Sequence, residues 1–178
     1  MISKLQTISK NLNSYLIQKE KWNSLLINQF PPIIHRLSFP IDQEHTLFLH
    51  KLHNCNSEIP YLHSHSWPCA IHVVEGEYEM GIGYSKKEEQ EIENNRTSPP
   101  SKIDFITAVQ PGTFYEITNP HIWHYTKCPP HIPYSYSIML IGKRTRERKS
   151  LNHEPLNKIQ KEELFEYFHR LNLNSSST

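Results

Sequence analysis

The fold is decided by the stretch Tyr61-Leu-His63-Ser-His65-Ser-Trp-Pro-Cys69-Ala-Ile-His72-Val-Val-Glu75-Gly76-Glu-Tyr78. His63 and His65 are two residues apart, so on a strand both imidazole rings project from one face. Neutral imidazole is a common metal ligand, and two on one face need only one or two more from another strand. A bare His-x-His also fits two solvent-facing histidines that alternate with serines, so the rest of the chain must decide between these interpretations.

The segments on either side of this stretch alternate apolar and polar residues, with Pro and Gly between them. This pattern predicts short strands, at 45–52, 61–65, 70–75, 77–84, 103–109, 113–117, 124–128 and 134–141. So many short strands at this spacing predict an antiparallel barrel or jelly roll. The charged, apolar-poor stretch 85–102 predicts an exposed, mobile hairpin loop.

Both ends of the chain predict helices, because apolar residues recur there at three- and four-residue steps. The first pattern covers 2–28 and is ended by Phe30-Pro31-Pro32, and the second covers 156–171. The chain is therefore predicted to consist of an N-terminal helical extension (1–32), a β-barrel domain (33–145), and a C-terminal helix and tail (146–178).

Composition excludes several classes of protein. In 178 residues, 19 Lys and Arg balance 18 Asp and Glu, which predicts no nucleic-acid partner. The basic run 143–149 is interpreted as a solvated linker. No apolar run reaches the roughly 18 residues of a membrane span, so we expect no membrane partner. Three cysteines (Cys55, Cys69 and Cys128) lack paired spacing, which favours reduced thiols and a cytoplasmic protein.

Two segments of the chain carry related motifs. The first is the His63/His65 segment closed by Gly76, and the second is Pro111-Gly-Thr-Phe-Tyr-Glu-Ile-Thr-Asn-Pro-His121-Ile-Trp-His124. Their order resembles the cupin superfamily over about residues 45–142. The resemblance implies a mainly β fold, a jelly-roll-like antiparallel β-barrel, and the apolar periodicity adds a helix at each end of it. It also implies a metal bound by histidines.

His124 and His121 compete for the third ligand position. His124 begins an alternating strand, whereas His121 follows Asn119-Pro120 in a turn, where exposure is expected. The pattern therefore favours His63, His65 and His124 as metal ligands. His72 is expected to point out of the barrel if Cys69 points in.

Cys69 stands where the first cupin motif carries a glutamate ligand, which leaves three neutral histidines. This arrangement resembles the thiol dioxygenases, especially cysteine dioxygenase. The resemblance implies Fe(II), a functional thiol at Cys69 and a functional strand serine at Ser137. It also implies an arginine that clamps a substrate carboxylate, for which Arg36 is the candidate. Cys69 as a small barrel-lining residue and Arg36 as a surface charge remain open.

The late strand departs from that family, because Met139 and Ile141 stand where it carries a histidine and a tyrosine. The run His-x-His-x-Trp-Pro also resembles small uncharacterised cupins with His-x-His-Pro-Trp, which implies a metal and no particular substrate. Tyr115 and Met139 are expected to line the substrate pocket.

Three functions remain open. The first is an iron-dependent dioxygenase of a small thiol or amino-acid-like molecule. The second is a non-redox metal cupin, an isomerase or lyase that uses Zn, Ni or Mn, and the third is a non-catalytic module that binds a small ligand. Each predicts a small-molecule partner. A monomer and a homodimer are both compatible with the sequence.

Overall fold

A computed structural model describes residues 1–55, 60–85, 99–144 and 154–175, with side chains up to residue 171 in the last helix. Most of the predicted loop at 85–102 and most of the basic run at 143–149 lie outside these residues. Among the described residues, no helix combines the length and apolar character needed to span a bilayer.

The described strands form two antiparallel sheets. The six-stranded sheet has the order β1 (Asn23–Ile27), β2 (Ile34–Pro40), β3 (Thr46–His53), β10 (Tyr134–Ile141), β5 (Cys69–Glu75) and β8 (Phe114–Ile117). The four-stranded sheet has the order β4 (His63–Ser64), β9 (Ile122–Lys127), β6 (Tyr78–Tyr84) and β7 (Phe105–Val109). The fold class is therefore mainly β, as the sequence predicts.

The six-stranded sheet is covered on one face by helices and on the other by the second sheet. On β3, Leu47 and Leu49 pack in one cluster with Leu5 of helix α1 (Ile2–Lys10) and Phe165 of helix α3 (Lys158–Ser175). A short helix, α2 (Asn13–Leu16), and a 3₁₀ turn at Lys19–Lys21 continue this helical layer. Side chains on the opposite face of β3 lie between the two sheets, because strand residues alternate in direction.

Two apolar clusters fill the space between the sheets. The first, here called the inner cluster, consists of Phe48, Cys69, Ile71, Ile117 and Met139, with partly buried Trp67 packed against it. The second cluster joins strands of both sheets, through Leu52, Val73, Tyr78, Met80, Val109 and Cys128. Tyr115 contacts both clusters, so the interior is continuous.

The helix predicted over 2–28 is wrong in its second half. Residues Asn23–Ile27 form a strand, β1, which pairs with β2 in a regular antiparallel register. The Leu25-Leu26-Ile27 run suits a helix or a strand by its periodicity alone. Pairing with β2 and a bond from the Leu26 N–H to the Glu154 carbonyl at 2.7 Å satisfy the backbone as a strand. Tertiary contacts therefore override local periodicity.

The prediction of a closed barrel is also wrong. No ladder among the described strands joins the two sheets, whose edge strands are β1 and β8 in one sheet and β4 and β7 in the other. β4 is shorter than the predicted strand 61–65, because the Tyr61 N–H bonds the Pro31 carbonyl at 3.2 Å instead of a neighbouring strand. Two packed open sheets replace the closed barrel.

His53 makes the stability of the fold depend on pH. Burial, nearby His35 and nearby Lys51 lower the pKa of His53 from 6.5 to about 4. Between these two pH values His53 binds a proton more readily in the unfolded chain than in the folded chain. The free energy of unfolding is therefore not reduced by His53 above about pH 6.5, and it falls as the pH drops toward 4. The limiting slope is about 1.4 kcal/mol per pH unit per group, reduced by solvent screening at this partly exposed site.

Urea unfolding of metal-free protein at pH 7 and pH 5 measures this loss. His53→Gln is expected to shrink the difference between the two free energies of unfolding. His131→Gln is the control, because His131 is 72% exposed, and it is expected to leave the difference unchanged. An equal difference in all three proteins would contradict the assignment to His53.

Candidate metal centre

Three histidines meet where β4 pairs with β9. In this ladder His63 lies opposite His124, and His65 follows one residue after β4. Their candidate ligand nitrogens all lie within 4.8 Å of one another. The structure thus brings together the three residues that the sequence favours as ligands.

A hydrogen bond of His63 to the backbone indicates the tautomer of its ring. His63 Nδ1 lies 3.2 Å from the Tyr61 carbonyl, and a carbonyl can only accept, so Nδ1 carries the proton. The Nε2 atom of His63 is then unprotonated in the neutral ring. A metal-bound histidine commonly donates its second N–H to a backbone carbonyl in this way, which fixes the tautomer and the ring orientation.

His65 and His124 point their Nε2 atoms at each other, 2.7 Å apart. Burial first, and the nearby His63 second, hold the pKa of His124 well below its usual range. The ring is therefore neutral at pH 7, which is the form that binds a metal. Three imidazole nitrogens at this spacing fit a divalent ion, and they fit zinc or ferrous iron better than calcium or magnesium, which prefer oxygen ligands.

Tyr61 connects the metal centre to the loop between β1 and β2. Its ring stacks on His63, with centroids 5.4 Å apart, and on Phe30, with centroids 4.3 Å apart. The Tyr61 N–H bonds the Pro31 carbonyl in the same loop. His63 is thus held by a stack of rings and a carbonyl, and we interpret Tyr61 as a residue that orients this ligand.

Arg36 is held on the inner face of the six-stranded sheet. Its Nε donates to His50 Nε2 at 2.8 Å, and its guanidinium lies 4.4 Å from the centroid of the Phe48 ring. Burial lowers the pKa of Arg36 to about 10, and burial together with Arg36 holds the pKa of His50 well below its usual range. No carboxylate lies within ion-pair distance of Arg36 among the residues described.

Cys69 and Met139 are both part of the inner cluster, and Cys69 has no exposed surface. Burial raises the pKa of the Cys69 thiol to about 12. The sulfur is therefore a neutral thiol at pH 7, and a thiolate nucleophile is disfavoured. The environment favours the lining role that the sequence left open for Cys69.

Ser137 and Tyr115 lie on the same inner face. Ser137 is buried on β10, opposite His50 of β3. Tyr115 on β8 shares a hydrogen bond of 2.5 Å with the hydroxyl of Tyr78, and burial raises the pKa of both phenols above their usual range. All of the sequence-derived candidates therefore face the space between the sheets.

Two histidines lie outside the centre. The His121 N–H bonds the Asn119 side chain in the turn before β9, and His121 is not in the three-histidine group. His72 lies on the helix side of the sheet, where it stacks on Phe114 with centroids 3.9 Å apart. This placement follows from strand alternation with Cys69 and Ile71 on the inner face.

His50 and Trp67 were missed by the sequence analysis. The alternation Phe48-x-His50-x-Leu52 places a histidine among apolar inward residues, which is a signal for a functional or buried polar group. Trp67 is two residues beyond His65, and its ring centroid lies 5.8 Å from that of His65. Neither has a spacing that singles it out without the fold.

The two sheets and the three-histidine group define the class of protein: a mainly β fold of two packed antiparallel sheets, with a group of side chains suited to a divalent metal ion. No protein family matches the sequence, and neither does any curated protein. Solved structures do match the fold.

The chain is similar to three solved structures. Hydroxypropylphosphonic acid epoxidase from S. wedmorenis matches with a TM-score of 0.49 and 12% identity, over 68% of this chain and 56% of that chain. Fe(II) HppE matches with a TM-score of 0.50 and 12% identity, over 68% and 57%. KdgF from Halomonas sp. matches with a TM-score of 0.45 and 16% identity, over 67% and 87%. This chain thus spans a little over half the length of the first two. At 12% identity, the match to Fe(II) HppE shows a likeness of fold alone. The cysteine dioxygenase resemblance stays a prediction.

Proposed function

We propose that the protein is an Fe(II)-dependent oxygenase that acts on a small, negatively charged substrate of the thiol or amino-acid type. The single observation that carries the proposal is the group of three histidines, His63, His65 and His124, bordering an interior that also holds Arg36. A ferrous ion bound there would supply open coordination positions for oxygen and substrate.

The charge of the site supports an anionic substrate. Three neutral imidazoles leave the full double charge of a divalent ion uncompensated, and Arg36 adds a second positive group. An arginine that has no carboxylate partner among the described residues and is stacked on an aromatic ring is well suited to bind a carboxylate through its remaining N–H groups. In this proposal Arg36 binds the substrate carboxylate, and His50 orients the guanidinium by accepting from Nε.

The inner cluster and its neighbours would form the apolar part of the proposed oxygenase site. Phe48, Ile71 and Met139 form an apolar floor that excludes water, which strengthens electrostatic interactions at the site. Tyr115 borders the same floor and presents a phenol with a raised pKa, which stays protonated at pH 7. In this proposal Ser137 lies level with Arg36, through their shared neighbour His50, and contacts the substrate.

Anaerobic purification followed by elemental analysis and an oxygen-uptake screen tests the proposal. The screen uses small thiols and amino-acid-like acids with Fe(II)-loaded protein, and the matched control is His124→Ala. Oxygen uptake with one of these acids that is lost in the control supports an oxygenase. Turnover with Zn, Mn or Ni in the absence of oxygen would contradict an oxygenase and indicate an isomerase or lyase. Metal binding without any turnover would contradict an enzyme and indicate a binding module.

A further inference from the structure

Trp67 and Arg144 form a second charged feature beside the metal centre. The Trp67 ring lies 5.8 Å from the His65 ring, and the Arg144 guanidinium carbon lies 5.2 Å from the centroid of the Trp67 ring. A cation is therefore separated from a metal ligand by one aromatic side chain. Arg144 belongs to the basic run at 143–149, which the sequence analysis left as a linker.

The backbone brings the segments that carry Trp67 and Arg144 close together. Trp67 precedes β5 and Arg144 follows β10, and the two strand ends are joined by a bond from the Gly142 N–H to the Pro68 carbonyl at 2.8 Å. The strands come so close here that a Cβ on Gly142 would lie 2.9 Å from the Pro68 ring. The residues next to Trp67 and just before Arg144 are therefore in direct contact.

Both groups retain hydrogen-bonding capacity. Within the described part of the chain, the buried indole N–H of Trp67 has no acceptor, and no carboxylate lies within ion-pair distance of Arg144. A buried N–H without an acceptor costs free energy. A negatively charged ligand group would provide an acceptor for the indole and a counter-ion for the guanidinium.

Arg36 and Arg144 border the same apolar surface from different sides. Arg36 lies over Phe48, whereas Trp67, beneath Arg144, packs against the inner cluster to which Phe48 belongs. The pairing of β2, β3 and β10 places Arg36 level with Ser137, in the middle of β10, and Arg144 beyond the end of that strand. The inner cluster therefore connects Arg36 with Trp67, the ring over which the Arg144 guanidinium lies.

We infer that the substrate is a small acid with two anionic groups, one bound by Arg36 and the second by Trp67 and Arg144. This inference rests on the proposed function, because it specifies the substrate of the same site. A monoanion would use Arg36 and leave Trp67 and Arg144 without a role. The second group is a carboxylate or a phosphoryl group, since both accept from guanidinium and indole N–H donors.

Isothermal titration of the Zn(II)-loaded protein tests the inference without oxygen chemistry. The probes are glutarate, 3-phosphonopropionate and butyrate, at about physiological ionic strength to screen distant charges. We expect the better of the two diacids to bind about tenfold more tightly than butyrate, and the comparison between the diacids identifies the second group. Arg144→Gln is expected to remove this preference while leaving butyrate binding unchanged.

Two further variants separate recognition from general effects. Lys143→Gln removes an adjacent exposed charge and is expected to keep the preference for diacids. Trp67→Phe keeps an aromatic ring under Arg144 but removes the N–H, and is expected to weaken diacid binding severalfold. Equal affinities for diacids and butyrate in the natural chain, or an equal loss for both in Arg144→Gln, would overturn the inference.

The metal content of the same samples separates this inference from the proposed function. If the chain fails to retain zinc, the proposed function fails, and the titrations are repeated on metal-free protein, where both guanidinium groups remain. If metal-free protein prefers diacids and loses this preference in Arg144→Gln, recognition of two anionic groups is supported although the proposed function is not. If metal-free protein shows no preference for diacids, the inference is overturned together with the proposed function.

Discussion

His124→Ala is expected to lower the affinity of the protein for Co(II) or Zn(II) by a factor of several hundred. Structural zinc sites bind with about 10–16 kcal/mol, which is about 2.5–4 kcal/mol for each of four ligands. His124 is buried and lies within ligand distance of both other histidines, so a substitute ligand cannot easily reach the position. Competition with a chromophoric chelator measures the affinity, and far-UV circular dichroism checks that the fold is retained.

The matched controls for this change are His121→Ala and His72→Ala. His121 is only three residues from His124 but lies outside the three-histidine group, and His72 faces the helical layer. Both variants are expected to bind the metal with the affinity of the natural chain. A loss in His121→Ala with retention in His124→Ala would contradict the ligand assignment and leave the fold unaffected.

Arg36→Met is expected to weaken the binding of a small carboxylate by about a hundredfold while raising the melting temperature by about 2–4 °C. The loss follows from removing a charge-assisted contact away from bulk water. The gain follows because burial of the guanidinium costs free energy, as its lowered pKa of about 10 indicates, and the methionine side chain fills similar space beside Phe48. A buried charge that serves binding is expected to show this pattern, in which its removal weakens ligand binding but stabilises the fold.

Arg36→Lys provides the control for this pair of measurements. It keeps the charge but removes the planar fork and the Nε donor to His50, so it is expected to weaken carboxylate binding without raising the melting temperature. Titration with butyrate and differential scanning calorimetry give the two quantities. A lower melting temperature in Arg36→Met would mean that Arg36 stabilises the fold, and its role in anion binding would lose its support.

The sequence predicts β5 and β10 well, because their alternation and their Pro and Gly boundaries are local signals. At the site itself, β4 is shorter than the predicted strand 61–65, and β9 begins at Ile122, two residues before the predicted strand 124–128. β10 was placed at the residues where it occurs, and β5 within one residue. β1 was missed because Leu25-Leu26-Ile27 continues a helical period, and its strand conformation depends on pairing with β2. β2 was missed as well, although its alternating burial is regular.

The features of the candidate site also divide into those that local sequence predicts and those that depend on the fold. The preference for His124 over His121 follows from strand alternation against a turn, both of which are readable in the sequence. The pairing of Arg36 with His50, the stacking of Tyr61 on His63, and the approach of Arg144 to Trp67 join residues far apart in the chain or depend on ring orientation. Such contacts are set by sheet register, which periodicity alone does not determine.

The most direct test of the central claim is the metal stoichiometry of the natural chain beside that of the His63→Ala/His65→Ala/His124→Ala variant. Both proteins are dialysed anaerobically against Fe(II) at pH 7.5, freed of unbound metal by gel filtration, and analysed for iron. The three-histidine site predicts one iron per chain for the natural protein and less than about one-tenth for the variant. Equal iron content in the two proteins would contradict a metal centre at these residues.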